Sequence, residues 1–485
     1  MPLHDKAFYG IAFFLGGVLF ASLISEPYNI AHTASSMAGS FFLFCSLITV
    51  LVAVIFLVFQ KRTFAVLSMF ILFGAGYSFW YIAYTTPSLA FLNQESEVQG
   101  LVYKVSRGIT SQSISVSLVS HQGNIRVILP RHPEVYYGDT LLLTGLIRSP
   151  QEEAQNYYRK ERLSGIMRFP EAHILSRGGG IFLKRGLFAI KDFSLSSFRS
   201  VFALDRAALM SGLTLGDISE MTQTFRDRMS LTGTTHLVAL SGYNVLIIAR
   251  GIFVLLGLWF SRRKRFWFSV FVIVLFVVMT GAEASVVRAG IMAILLLLAD
   301  HVYRAYRFRN AIIVAGFLMV VANPLVLVFD VGFQLSFAAL LGLVYLEPVL
   351  RQSLPLREEP GLLGWRDHLR ATLSAQLMVL PILLSNFGSF SPLSILVNVL
   401  VLVVVPLTML LGLCIILASL FSSFFALVIG FVADIFLRYI ISIIDLFSRF
   451  SFPLTLTSVS LLGVFVYYVG IIYFIVSYRA LLRHA

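Results

Sequence analysis

Arg262-Arg263-Lys264-Arg265 runs directly into Phe266-Trp267-Phe268-Ser269-Val270-Phe271-Val272-Ile273-Val274-Leu275-Phe276-Val277-Val278-Met279. A helix built from the second part has no polar face to turn to water, so it belongs in a membrane or a large core. Four cations at its head fix its direction, because Lys and Arg collect in cytoplasmic loops. The rest of the chain repeats this pattern. Of its 485 residues 58% are hydrophobic and 13% are charged, with a mean hydropathy of +0.87. Soluble domains carry roughly 25% charged residues, so most of this chain cannot face water.

Apolar runs occur near 7–25, 39–59 and 64–84, then near 235–260, 266–281, 284–303, 310–322, 328–347, 370–387, 392–418, 424–447 and 457–478. This predicts an α-helical polytopic membrane protein of about 12 spans. The first run follows Asp5 and Lys6 and has the look of a signal peptide; spans follow at once, so a retained anchor is expected. The loop from Ser25 to Ser36 has no Lys or Arg, whereas Gln60-Lys61-Arg62-Thr63 is basic. That places the N-terminus in the cytoplasm. Threading the spans onward puts the 262–265 cluster, then Arg304, Arg307 and Arg309, then Arg351, Arg357, Arg366 and Arg370, then Arg479 and Arg483 on the same side. Arg449 is the exception. Both termini are then cytoplasmic.

Residues 88–180 change character. Alternating segments at Glu97–Val105, Ile114–Val119, Asn124–Leu129 and Thr140–Leu146 are separated by turn signals at His121-Gln122-Gly123-Asn124 and Tyr137-Gly138-Asp139. Period-two alternation of this kind predicts a small β-barrel or sandwich. About five short strands suit an OB-like barrel, inserted on the extracytoplasmic side. Residues 181–202 mix apolar residues with Lys184, Arg185, Lys191 and Arg199, as an amphipathic helix lying on a membrane surface does. A polar helical stretch follows, Asp205 to Met229. The expected domains are thus N-terminal transmembrane helices (1–87), the β insert (88–180), interfacial and linker helices (181–230) and a second transmembrane region (231–485).

The net charge of +13 fits either the positive-inside bias or a polyanionic partner. Cys45 and Cys414 both lie in apolar runs, and there is no CxxC, HxH or HExxH. Neither a metal site nor a cofactor is expected.

Ionisable and polar groups inside spans are costly and mark pathways or binding sites. Three clusters stand out. Thr232 to Asn244 supplies Thr234, Thr235, His236, Ser241, Gly242 and Asn244. They could cap a helix start, line a hydrated cavity or serve hydrolysis. For hydrolysis His236 would have to activate Ser241, but five residues put them about 140° apart on a helix, and no GxSxG elbow surrounds the serine. The second cluster, Gly281 to Arg288, holds Glu283 and Arg288, also five apart. Each is expected to find its partner on another helix, or Glu283 to sit at a bend beside Gly281. In the third cluster Asp330 and Gln334 stand at i and i+4, on one face of a straight helix. Pro381, Ser385-Asn386-Phe387-Gly388-Ser389, Asn398 and Pro406 break later runs, which is tolerated at membrane depth where protein or a water-filled cavity receives the backbone.

In this order the clusters resemble the ComEC family of bacterial competence proteins. The resemblance rests on Thr234 to Asn244, Gly281 to Arg288, Asn323-Pro324 with Asp330 to Phe337, and Phe387-Gly388 through Asn398 and Pro406-Leu407, and it covers residues 205–475. It implies a channel in the bacterial cytoplasmic (inner) membrane that imports single-stranded transforming DNA. The lipid bilayer and a separate DNA receptor, nuclease and cytoplasmic motor are the other implied partners. A transporter for another anionic substrate, a lipid or nucleotide precursor, is the alternative. Thr234, Thr235, His236, Ser241, Gly242, Asn244, Glu283, Arg288, Asp330, Gln334 and Asn386 are then candidates to line or shape the channel. The carboxylates would repel DNA, so Glu283 and Asp330 are expected to hold Arg288 or other helices in position. The insert is barely basic, with ten Lys/Arg against eight Asp/Glu over residues 93–180. Tyr103, Arg107, Arg126, Arg131, Tyr136, Tyr137 and Arg148 could still form a local DNA-binding patch, since single strands are held by cationic grooves and stacking rings. Longer members of the family carry a metallo-β-lactamase-like domain proposed as the nuclease; no ligand set for one stands in this sequence, and the chain is expected not to be an enzyme.

Overall fold

The computed structural model describes residues 3–25, 62–85, 93–119, 123–151, 157–240, 245, 260–303, 307–354, 365–450, 454–455 and 460–484. In chain order its elements are helices α1 (Leu3–Ser25) and α2 (Arg62–Thr85), then strands β1 (Glu95–Arg107), β2 (Ser111–Leu118), β3 (Asn124–Pro130), β4 (Thr140–Leu146), β5 (Leu163–Arg168) and β6 (Glu171–Ser176). Helices follow: α3 (Phe182–Val201), α4 (Leu204–Leu215), α5 (Gln223–Leu231), α6 (Arg262–Met279), α7 (Ala284–His301), α8 (Phe308–Ala322), α9 (Val326–Phe329) and α10 (Val331–Leu341). After a π-turn at Gly342–Leu346 come α11 (Glu347–Ser353), α12 (Trp365–Phe387), α13 (Ser394–Leu402), α14 (Val405–Phe421), α15 (Ser423–Arg449) and α16 (Leu461–His484). They fall into two compact units, residues 1–186 with 298–330 and residues 187–297 with 331–485.

In the first unit α1 and α2 meet at glycines. A Cβ on Gly17 would sit 2.0 Å from the Ile71 carbonyl oxygen, and one on Gly74 equally close to that of Phe14. Apolar helices gain nothing by hiding from lipid, so close backbone approach through small residues is what holds them together. Ser22 and Ser78 face each other in the same seam, their hydroxyls 3.4 Å apart. Helix α8 joins through the Phe14–Phe317 edge contact and an Arg309–Asp5 ion pair of 3.2 Å.

The same unit carries a separate six-stranded β sheet in the order β5-β3-β2-β1-β4-β6. β1 is antiparallel to both β2 and β4, while β3 and β5 run parallel. Just past β4, Arg148 and Ile166 of β5 exchange two backbone hydrogen bonds of 2.9 and 3.0 Å. Alternation places Val102, Val116, Ile125, Val127, Leu141 and Leu143 in a dry core, as the sequence pattern predicts. β5 and β6 escaped that pattern. Leu163-Ser164-Gly165-Ile166-Met167-Arg168 does not alternate cleanly, and β6 has no buried residue.

In the second unit α4 is the surprise. The stretch expected to be polar and helical divides at Gly216, whose φ of 69° caps α4 in the left-handed region, and Ala207 through Leu215 are all buried. They pack with Phe198, Phe225, Val401, Met409, Leu437 and Ile440 in one core. Ion pairs Arg206–Asp434 and Arg228–Asp445 join α4 and α5 to α15. Helix α3 buries Leu187, Leu195 and Phe198 and leaves Phe182, Leu183 and Ile190 exposed.

Five described helical stretches are long and apolar enough to cross a membrane: Asp5–Ser22, Ala284–His301, Val331–Ser353, Trp365–Phe387 and Ser423–Arg449. The pair Ser394–Leu402 and Val405–Phe421, bent by 49°, makes a sixth if it is one broken span. Of the dozen runs expected, 39–59 and most of 235–260 lie outside the described residues. The run expected at 328–347 is displaced: the helix breaks at Asp330, whose backbone is extended, and continues to Ser353. Ser68–Ile82, Phe308–Ala322 and Leu462–Tyr478 are apolar but shorter.

Candidate functional site

The β sheet brings the sequence candidates into two groups. In the first, the β2–β3 register sets Ser115 opposite Arg126, and the bulge between Val102 and Lys104 turns Tyr103 onto the same face. Arg126 donates through Nε to Ser113 (2.9 Å) and lies over the Tyr157 ring at 5.7 Å, with Lys160 Nζ 5.1 Å from the same ring. Tyr157 is exposed. Burial pushes the Tyr103 phenol up to about 12, against the opposing influence of its hydrogen bond with Ser115 and of Arg126. In the second group Arg107 stacks 4.4 Å over Tyr136, and Arg131 donates to the Gly108 carbonyl at 2.5 Å. Glu134 accepts from the Tyr136 hydroxyl at 2.7 Å, which with the nearby cations holds its carboxyl below the ordinary range although burial opposes them. Tyr137 stands apart, its hydroxyl accepting from the Ile181 amide at 3.2 Å, and Arg148 is exposed beside the β5 bridge.

Asp330 does not share a helix face with Gln334. It lies in the break before α10, and its carboxylate is 3.0 Å from Lys160 Nζ. Asn323 completes the contact: its Nδ2 donates to the Lys160 carbonyl at 3.0 Å, while its Oδ1 accepts from the Leu325 amide at 3.1 Å. The Asn323-Pro324 and Asp330 elements therefore grip the segment that carries Tyr157 and Lys160. Asp330 holds the β sheet's own chain rather than Arg288, as its non-local partner could not be read from spacing.

In the second unit the threonines end a helix instead of starting one. Thr232 donates to the Arg228 carbonyl at 2.9 Å and Thr234 to that of Met229 at 3.3 Å, closing α5. Thr235 and His236 follow in a single 3₁₀ turn, both exposed, with His236 Nδ1 3.1 Å from the Gly233 carbonyl oxygen. Ser241, Gly242 and Asn244 lie outside the described residues. At Gly233, with φ of 66°, a Cβ would meet Ser394 at 2.5 Å. The Ser394 hydroxyl in turn accepts from Gln376 Nε2 at 2.9 Å. Gln376 Oε1 and Asn398 Oδ1 are buried with no partner among the described residues. Sequence reading marked Asn398 only as a break and missed Gln376 and Ser394; two amides in apolar runs were the available signal.

Gly281 (φ 92°) and Ala282 (φ 55°) make the bend that precedes α7, and exposed Glu283 gives its carbonyl to the first turn. Ser285 donates to the Leu240 carbonyl at 2.7 Å. Arg288 is buried, its guanidinium 5.6 Å from the Phe337 ring. Gln334 is half-buried; Asn386 is exposed and turned back on its own helix, donating to the Ile382 carbonyl at 2.9 Å. Among the described residues no three His, Cys, Asp or Glu side chains converge as a metal site would require.

The family profile described as "Competence protein" matches residues 213–480, which takes in the Thr234, Arg288, Gln376 and Asn398 neighbourhoods. The chain belongs to the competence-protein family. With its apolar helices, that makes it a membrane protein. The chain is similar to ComE operon protein 3 of Bacillus subtilis (strain 168), with 30% identity over 218 residues, 45% of this chain and 27% of that protein. The competence protein thus spans about a quarter of the length of that curated relative. No solved structure matches it.

Proposed function

We propose that this competence protein takes part in DNA uptake by conducting single-stranded transforming DNA across the bacterial cytoplasmic membrane. The observation that carries the reading is the coincidence of the family match with a polar interior in the second unit. Buried Asn398 and Arg288, half-buried Gln376 and the hydroxyls of Thr232, Thr234, Ser285 and Ser394 lie within residues 213–480. A polyanion crossing a membrane needs a hydrated, polar or mildly basic passage. The chain acts as a conduit and not as an enzyme, so a DNA receptor, a nuclease and a cytoplasmic motor are separate partners.

The β domain is an OB-like barrel in this reading. The support is its strand linkage: β1-β2-β3-β5 in sequence, with β4 paired to β1 and bridged to β5 through Arg148 and Ile166. The positive-inside bias of the basic loops supports an extracytoplasmic position for this domain and cytoplasmic termini. The Arg126–Tyr157–Lys160 face then meets DNA on arrival. Deleting the gene and following labelled DNA separately into periplasm and cytoplasm tests the function. Arrest of DNA outside the cytoplasmic membrane is the expected result; a deletion strain that still takes DNA into the cytoplasm sinks it. Normal DNA uptake with failed import of a lipid or nucleotide precursor would favour the alternative substrate.

A further inference from the structure

Arg288 is 8% exposed, and its buried Nη1 has no hydrogen-bond partner among the described residues. Val286, Ala289, Gly290 and Ala293 of the same helix are buried around it, so this side of α7 faces protein. Its described neighbour is a ring: the guanidinium carbon lies 5.6 Å from the centroid of Phe337. Phe337 is itself stacked on Phe333, with centroids 4.3 Å apart and planes inclined by 28°. No carboxylate answers the cation among the described residues.

Taking a guanidinium out of water without an anion costs several kcal/mol. A ring face offsets only a fraction of that. Every other partly buried arginine of this unit that joins two helices does have a carboxylate: Arg206 has Asp434 and Arg228 has Asp445. Arg370, buried more deeply still, also has a carboxylate, that of Asp367 on its own helix, so Arg288 is set apart by its chemistry and not by its depth. A guanidinium whose Nη1 is unused suits a singly charged oxyanion, which a phosphodiester supplies. An aromatic face beside it suits the base attached to that phosphate, the pairing of contacts by which single strands are held without regard to sequence.

We infer that Arg288 and Phe337 form a phosphodiester-binding station inside the transmembrane region, where Arg288 Nη1 holds one backbone phosphate while the neighbouring base stacks on Phe337. This rests on the single-strand conduit reading and adds the residue that contacts the strand. By the orientation of the basic loops α7 begins on the extracytoplasmic side. Arg288 lies in its second turn and so engages the strand early in its passage.

The test uses the purified full chain in planar bilayers, with block of its ionic current by oligodeoxythymidylate as the readout. Arg288→Gln should shorten the oligonucleotide's residence roughly tenfold to a hundredfold, as loss of a charged hydrogen bond does, while Arg288→Lys keeps most of it. Phe337→Leu should shorten residence for oligodeoxythymidylate but not for an abasic strand with the same phosphates. A strand with uncharged methylphosphonate linkages should be insensitive to Arg288→Gln. Unchanged residence in Arg288→Gln and Phe337→Leu, with wild-type current and block intact, overturns the station and leaves the conduit standing. The station also falls if Arg288→Gln loses co-purified anionic phospholipid and keeps oligonucleotide block, which would make it a lipid site. Absence of current or block in the wild-type chain removes the conduit reading, and the station with it.

Discussion

Lys160 and Asp330, 170 residues apart, form an ion pair of 3.0 Å in which both side chains are largely buried, at 14% and 13% exposure. It ties the segment before β5 to the break that precedes α10. Burial alone would lower the Lys160 pKa, yet Asp330 and then Glu161 outweigh it and hold the ammonium above its ordinary value. A raised pKa gives stability that is complete below lysine's ordinary range and is lost as pH climbs through the raised value. Asp330→Asn and Lys160→Met should each lower unfolding stability by about 1–3 kcal/mol, because each strands a partly buried charge or donor. The double variant should cost less than the sum. Thermal unfolding in detergent reads the cycle; strict additivity would show that the two groups do not interact.

Tyr103 provides a second pH signature. Its phenol is pushed up to about 12 by burial, so the unfolded chain ionises first. The domain should therefore hold full stability below the ordinary tyrosine range and lose on the order of 2 kcal/mol as pH rises from about 10 towards 12. The late component of the phenolate absorbance should shrink by one tyrosine in Tyr103→Phe. A late component of unchanged amplitude in that variant would assign the shift elsewhere.

The α1–α2 seam gives a packing prediction. Gly17→Val must push a side chain against the backbone of Ile71, and Gly74→Val against that of Phe14, where even a Cβ has only 2.0 Å. Neither neighbour is a flexible side-chain end, so the helices must part. Each variant should cost about 1–3 kcal/mol. Gly16→Val is the control, because no atom of the described residues lies within 4 Å of a Cβ there. Equal loss in all three would mean that the crossing is not where the glycines place it.

How much of this was legible beforehand differs by element. Strands β1 to β4 announced themselves because one face is buried and the other wet, which writes a period of two into the sequence. The burial of α4 did not, since Ala207, Ala208, Ser211 and Gly212 are small and read as neutral. They are buried because α14 comes close, at Gly412 against Met210 and Thr214, while α15 closes on the preceding α3 at Gly430 against Val201. Asn323 and Asp330 were visible as polar residues in apolar surroundings. Their partner was not, because Lys160 sits in a run of charges that reads as a solvated linker. Helix periodicity likewise hid the break at Asp330, since it assumes that the helix continues. Arg288 was marked by its residue type alone; its ring neighbour comes from α10 and no local pattern encodes that contact.

The two arginine groups of the β domain should respond differently to mutation, and this distinguishes a strand-binding face from an internal brace. Arg131 is committed to the Gly108 carbonyl, so Arg131→Gln should lower stability by about 1 kcal/mol and leave single-strand affinity nearly unchanged. Arg126 and Lys160 instead lie over the exposed Tyr157 ring. Tyr157→Ala should weaken binding of an oligodeoxythymidylate by roughly tenfold, the loss of one stacked base. Arg126→Gln should reduce the dependence of log affinity on log salt by about 0.7, as removal of one phosphate contact does for single strands. Fluorescence polarisation on the full chain in nanodiscs, repeated across a salt series, measures both quantities. A salt slope that falls with Arg131→Gln and not with Arg126→Gln would move the interface to the Arg107–Tyr136 edge of the sheet. Loss of affinity in Tyr157→Ala with no change of slope is expected, because the ring carries no charge. A slope change there would mean that the substitution had released Arg126 and Lys160 from their places rather than removed a stacking surface.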